Sequence, residues 1–131
     1  MLNVVSQFFH APDKLAHFKA GVLAALAGAV LGAALVALLL AILGLQGLQA
    51  PLLVAVVLML LCAGVGALVA ASVAGATKEW ADQADNLIHP GMHGVEVADA
   101  VATGLPGVLL CVALCMLAFQ LSAPLVAPWQ A

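Results

Sequence analysis

The chain has 131 residues, of which 66% are hydrophobic and 7% are charged, and its formal net charge is −3. Soluble domains carry about 25% charged residues, so this composition excludes an ordinary soluble domain. No basic patch is present, which argues against nucleic acid as a partner. Uncharged segments cover about 20–44, 51–77 and 100–121, and each exceeds the ~20 apolar residues that cross a bilayer. The sequence predicts a single all-α membrane domain, 1–131.

The first eleven residues predict a short amphipathic helix. At 100° per residue, Leu2, Val5 and Phe9 share one face, whereas Asn3 and Gln7 lie on another. The segment has no basic n-region, unlike a secretory signal peptide. We therefore expect 1–11 to lie in the membrane interface.

Helix breakers divide the rest of the chain into three predicted membrane helices. Gly44, Gly47 and Pro51 separate the first from the second, and "HPGMHG" separates the second from the third. The predicted helices cover residues 14–44, 51–86 and 95–121. A break near Gly32 gives an alternative with four helices.

All charged residues lie at one end of these three helices. Two crossings return the chain to its starting side, so the start of the first helix, the end of the second and the start of the third share that side. The three lysines there predict a cytoplasmic location by the positive-inside rule, with the N-terminus inside a bacterial inner membrane. Trp129 is then expected near the outer interface.

Polar side chains at this end share narrow helical arcs that would converge on one site. Four of them are candidate catalytic residues and possible ligands of a divalent metal: His17, Glu79, Asp82 and Asp99. Four more are candidate binding residues: Asp13, Lys14, Lys78 and Thr103. The alternative is a set of solvated helix ends joined by lysine–carboxylate pairs, which we favour for Asp85 and Glu96.

Three short motifs carry a family resemblance. The segments "DKLAHF" (13–18), "KEWAD" (78–82) and "DAVATGLPG" (99–107) resemble small bacterial and phage membrane proteins with the pattern DKxxHF…KExxD…DxxAT. They are similar, more loosely, to the VanZ-like family associated with teicoplanin resistance. The resemblance implies the following signature positions: Asp13, Lys14, His17, Lys78, Glu79, Asp82, Asp99 and Thr103.

Several functions are compatible with this cluster. Its nitrogen and oxygen ligands suit Zn²⁺ or Mn²⁺. Its lysines suit a lipid-linked or phosphorylated envelope head group, with His17 or Glu79 as acid or base. A structural lock of ion pairs is the third option. A holin-like or other pore-forming protein is the alternative function, based on the size, the three spans and the small residues.

Small residues predict close helix packing. Gly28 and Gly32 form a GxxxG motif, and Ala63, Ala67, Ala71 and Gly75 recur every four residues. Both stripes would suit either packing within the chain or contacts in a homo-oligomer, which we expect because three spans enclose little interior. The cysteines at 62, 111 and 115 are predicted core residues rather than a disulfide or a metal site.

Overall fold

The computed structural model describes residues 12–47, 50–91 and 96–126, which form three α-helices. Helix α1 is Pro12–Leu45, α2 is Leu52–Ile88 and α3 is Val97–Val126. All three are long and apolar enough to cross a membrane, so the predicted all-helical, three-span membrane fold is confirmed. Helix α1 is continuous through Gly32, so the four-helix alternative is not adopted. The interfacial segment 1–11 and Trp129 lie outside the described residues.

The helix ends differ from the predicted ends by a few residues. Helix α2 continues to Ile88 and stops where His89 (φ −125°, ψ 78°) leaves the helical region, because Pro90 follows it. Helix α3 begins at Val97 and continues through Pro124 to Val126, beyond the predicted end at 121. A proline removes one backbone hydrogen bond, and here that loss does not end the helix.

The GxxxG motif packs within the chain. A Cβ added at Gly28 would overlap the carbonyl oxygen of Gly66, and one added at Gly32 would overlap that of Cys62, both on α2. The glycines therefore let the backbones of α1 and α2 approach closely, as such motifs do in membranes.

The alanine stripe of α2 is buried along its length, from Ala63 to Gly75. A Cβ added to Gly107 of α3 would lie 2.7 Å from the carbonyl oxygen of Ala67, and one added to Gly75 would lie 2.8 Å from that of Ala100. This stripe therefore serves the α2–α3 contact. With both stripes used inside the chain, neither one supplies an argument for a homo-oligomer.

The uncharged part of α2 is longer than the hydrocarbon layer of a bilayer. It covers residues 52–77 and is roughly 39 Å long at 1.5 Å per residue. The hydrocarbon layer is about 30 Å thick, so a helix of this length can cross it with Lys78 outside the hydrocarbon.

Candidate functional site

A buried carboxylate joins the three helices at their charged end. Asp99, in the first turn of α3, is only 3% exposed. Lys14 of α1 donates a hydrogen bond to Asp99 Oδ1, and Lys78 of α2 places its Nζ 3.8 Å from Asp99 Oδ2. Both ammonium groups thus neutralise a charge that would be costly to bury alone.

Lys14 contacts two further carboxylates. Its Nζ donates to Glu96 Oε2 at 2.5 Å and lies 3.9 Å from Asp13 Oδ2. Glu96 directly precedes α3, so this ammonium group holds the start of α1 against the start of α3. The Lys14 side chain is largely enclosed by these partners.

Lys78 is shared between two carboxylates of its own helix. Its Nζ lies 2.5 Å from Asp82 Oδ2 and 3.2 Å from Glu79 Oε1. The other oxygen of Glu79 accepts the backbone N–H of Glu96 at 3.0 Å. Glu79 therefore satisfies a backbone donor at the start of α3, as a capping side chain does, but from a neighbouring helix.

His17 lies one helical turn after Asp13 and faces Asp99. Its Nε2 is 3.4 Å from Asp13 Oδ1 and 3.6 Å from Asp99 Oδ2, and its side chain is mostly buried. These three residues offer ligand atoms that all lie within 4.8 Å of one another, the only such group in the described ranges. The imidazole is thus placed between two carboxylates on two helices.

Thr103 is buried where the helices pack against one another. Its hydroxyl donates to the carbonyl of Asp99 at 3.0 Å within α3. A Cβ added to Gly21 would overlap the Thr103 carbonyl oxygen, and Gly75 faces Thr103 from α2. Gly21 therefore brings α1 close enough to α3 for Lys14 and His17 to reach Asp99.

We call eight of these residues the charged cluster: Asp13, Lys14, His17, Lys78, Glu79, Asp82, Glu96 and Asp99. It contains five carboxylates and two lysines, an excess of three negative charges when the histidine is neutral. Such an excess attracts cations. A phosphate group would have to compete with carboxylates for either lysine.

The structure brings the predicted site residues to the same end of the bundle, where they form two groups. His17 and Asp99 face each other, whereas Glu79 and Asp82 pair with Lys78. The predicted metal set of these four residues therefore does not form one compact group, although Asp13 joins His17 and Asp99. Metal binding and catalysis stay predictions.

Sequence reasoning favoured Glu96 as a solvated helix end paired with a lysine. The structure agrees, because the Glu96 side chain is 57% exposed and accepts a hydrogen bond from Lys14. The role of Gly21 was missed, although it precedes Gly28 by two helical turns on the same face. Asp85 has interactions of its own.

The histidines at 89 and 93 and the three cysteines form no site within the described residues. His89 ends α2, and His93 lies outside the described residues. The three cysteines are free thiols that are only partly buried, so they do not belong to the buried core, and 4.0 Å separates Cys111 Sγ from Cys115 Sγ.

Comparisons with known proteins give no relative. No family model matches the chain, and neither a curated protein nor a solved structure shows significant similarity to it. The functional argument therefore rests on the charged cluster itself.

Proposed function

We propose that this chain is a small bacterial or phage inner-membrane protein that binds the phosphorylated head group of an envelope lipid at the charged cluster. Its N-terminus and the α2–α3 connection would face the cytoplasm. The observation that carries the proposal is the buried carboxylate of Asp99, which lysines from two other helices approach at the charged end of the bundle.

The arrangement of the cluster supports a ligand site over simple solvated helix ends. Solvated ends would leave each charge in water, whereas Asp99 is buried and is approached by cations from two other helices. Ionisable groups held in this way in membrane proteins commonly mark functional sites. Both signs of charge are present, which suits a head group that carries phosphate together with polar groups.

Of the two lysines in the charged cluster, Lys78 is the more accessible to a ligand. Its side chain is 35% exposed, compared with 13% for Lys14. A phosphate oxygen would take the place of Asp82 or Glu79 at its Nζ, and the displaced carboxylate would turn to solvent. Lys14 would keep its carboxylate partners and hold the helices in place.

The test compares two lysines in lipid nanodiscs. Binding of lipids with phosphomonoester, phosphodiester and uncharged head groups is measured by native mass spectrometry for the wild type, Lys78→Gln and Lys19→Gln. Lys19 is exposed and lies outside the charged cluster, so it controls for lost charge. We expect Lys78→Gln to weaken phospholipid binding about tenfold, or about 1.4 kcal/mol, and Lys19→Gln to change it little. Equal effects of the two variants, or equal binding of uncharged lipids, would refute the proposal.

A further inference from the structure

We infer that Asp13, His17 and Asp99 bind a divalent cation of the Zn²⁺ or Mn²⁺ class, and that this cation supplies a contact for the phosphate. Only the second part rests on the proposed function, because binding of the metal alone can be measured without any lipid.

The spacing of the three side chains fits a first coordination shell. Zinc binds imidazole nitrogen and carboxylate oxygen at about 2.0–2.2 Å, so two ligands at the tetrahedral angle are separated by about 3.4 Å. His17 Nε2 lies 3.4 Å from Asp13 Oδ1 and 3.6 Å from Asp99 Oδ2. One cation could therefore contact all three atoms after small side-chain movements.

The two oxygens of Asp99 face different partners. Oδ1 accepts the hydrogen bond from Lys14, whereas Oδ2 faces His17. Carboxylates that bind metals are commonly held by such an outer hydrogen bond, which fixes their orientation. Lys14 is thus a positioning residue for the ligand atom rather than a competitor for it. The ammonium of Lys78 lies 3.8 Å from the same Oδ2.

The charge of the surroundings favours the cation as well. The charged cluster has three more carboxylates than lysines, so a divalent ion would cancel most of this excess. It would also offer a phosphate a second cationic partner beside Lys78.

Three protein ligands leave a coordination position for an incoming group. Metal sites that act on substrates keep such a position, whereas structural zinc sites have four protein ligands. The Asp13 side chain is 68% exposed, so the site is reachable from the head-group side of the bilayer. A phosphate oxygen would occupy the open position when the lipid is bound.

The first experiment measures Mn²⁺ alone, with the full chain in nanodiscs of uncharged lipid. Electron paramagnetic resonance counts free Mn²⁺ in a titration, and Zn²⁺ added later reports competition for the same site. We expect one saturable site in the wild type and at least tenfold weaker binding in Asp13→Asn and in His17→Gln. Each variant is first checked for unchanged thermal stability.

Asp85→Asn is the matched control. It removes the same charge as Asp13→Asn at the same end of the bundle, but Asp85 is outside the charged cluster and is not one of the three ligands. We expect it to weaken Mn²⁺ binding less than threefold. The inference is overturned if the wild type has no saturable site, or if Asp85→Asn weakens binding as much as Asp13→Asn, which would mean diffuse attraction only.

A chelator separates this inference from the proposed function. Phospholipid binding that persists unchanged in EDTA would exclude the cation as the phosphate contact and leave the lipid site standing. Saturable Mn²⁺ binding without phospholipid binding would establish the metal site and refute the proposed function. Loss of phospholipid binding in EDTA, restored by Mn²⁺, supports both.

Discussion

Lys14, in the first turn of α1, donates a hydrogen bond to the buried carboxylate of Asp99, 85 residues later in the chain. This contact joins the first and last helices at the charged end of the bundle. Removing one partner of a buried ion pair leaves an uncompensated charge, which is more harmful than replacing the whole pair.

We predict that Lys14→Met lowers the free energy of unfolding by about 3 kcal/mol. This value is the lower end of the range for a broken buried ion pair, and we choose it because Lys78 still lies near Asp99 in the variant. SDS-induced unfolding followed by circular dichroism measures the change. Adding Asp99→Asn to this variant should restore part of the stability. The control Lys19→Met should be nearly neutral, and a similar loss there would contradict the prediction.

Two glycines of α1 should differ sharply in their tolerance of alanine. At Gly21 an added Cβ would overlap the Thr103 carbonyl, whereas at Gly44 it would meet no atom within 4 Å. We predict that Gly21→Ala costs about 1–3 kcal/mol through overpacking and separates α1 from α3. Gly44→Ala should be neutral or slightly stabilising in the same unfolding assay. Equal effects of the two substitutions would mean that α1 and α3 do not pack closely around Gly21.

Thr103 should be insensitive to loss of its hydroxyl. The hydroxyl bonds only to the Asp99 carbonyl of its own helix among the described contacts, so Thr103→Ala should cost no more than about 0.6 kcal/mol, an average value for such bonds in membrane proteins. Thr103→Leu should be strongly destabilising because Gly21 and Gly75 face this position. Lipid binding that disappears in Thr103→Ala without a change in stability would instead give the hydroxyl a direct role.

The GxxxG motif should affect the fold of each chain rather than its self-association. Gly28→Leu would force α1 away from Gly66 of α2. We predict that Gly28→Leu and Gly32→Leu both lower the stability of the fold markedly. The fraction of each variant that remains folded should form the same species as the wild type when it is crosslinked in mild detergent. Loss of an oligomer while the monomer keeps its wild-type stability would place the motif between subunits.

The orientation can be tested at the two described turns. In a background without native cysteines, Gln46→Cys and His89→Cys should label from opposite sides of the membrane, with His89→Cys labelled only from the cytoplasm. Labelling of both positions from one side would contradict the three-span topology. Labelling of His89→Cys from outside intact cells would reverse the orientation.

The sequence predicted the fold well because the bilayer leaves few alternatives. Long uncharged segments must become helices in lipid, and their number brings all charged ends to one side. The breakers at Gly47 and Pro51 located the first turn. The last helix was predicted to end at 121 but continues through Pro124, because a proline weakens a helix locally without always ending it.

The partners within the site could be predicted only in part. Helical spacing gathered Lys78, Glu79 and Asp82 on one arc, and those contacts are local. Contacts between helices depend on the rotation and depth of each helix, and composition does not reveal either one. For α1, the close approach to α3 at Gly21 fixes where its side chains meet their partners. The sequence predicted that His17 and Asp99 share a site, but their grouping with Asp13, apart from Glu79 and Asp82, came from the structure.

The long separation between Lys14 and Asp99 also has a consequence for biosynthesis. Ribosomes add about 5–20 residues per second, so Asp99 is made roughly 4–17 s after Lys14. Lys78 meets Glu79 and Asp82 as soon as α2 forms, but through this interval Lys14 has neither Asp99 nor Glu96 as a partner. A nascent chain arrested after Ile88 would therefore contain Lys14 without these two partners, and synthesis of the start of α3 supplies both.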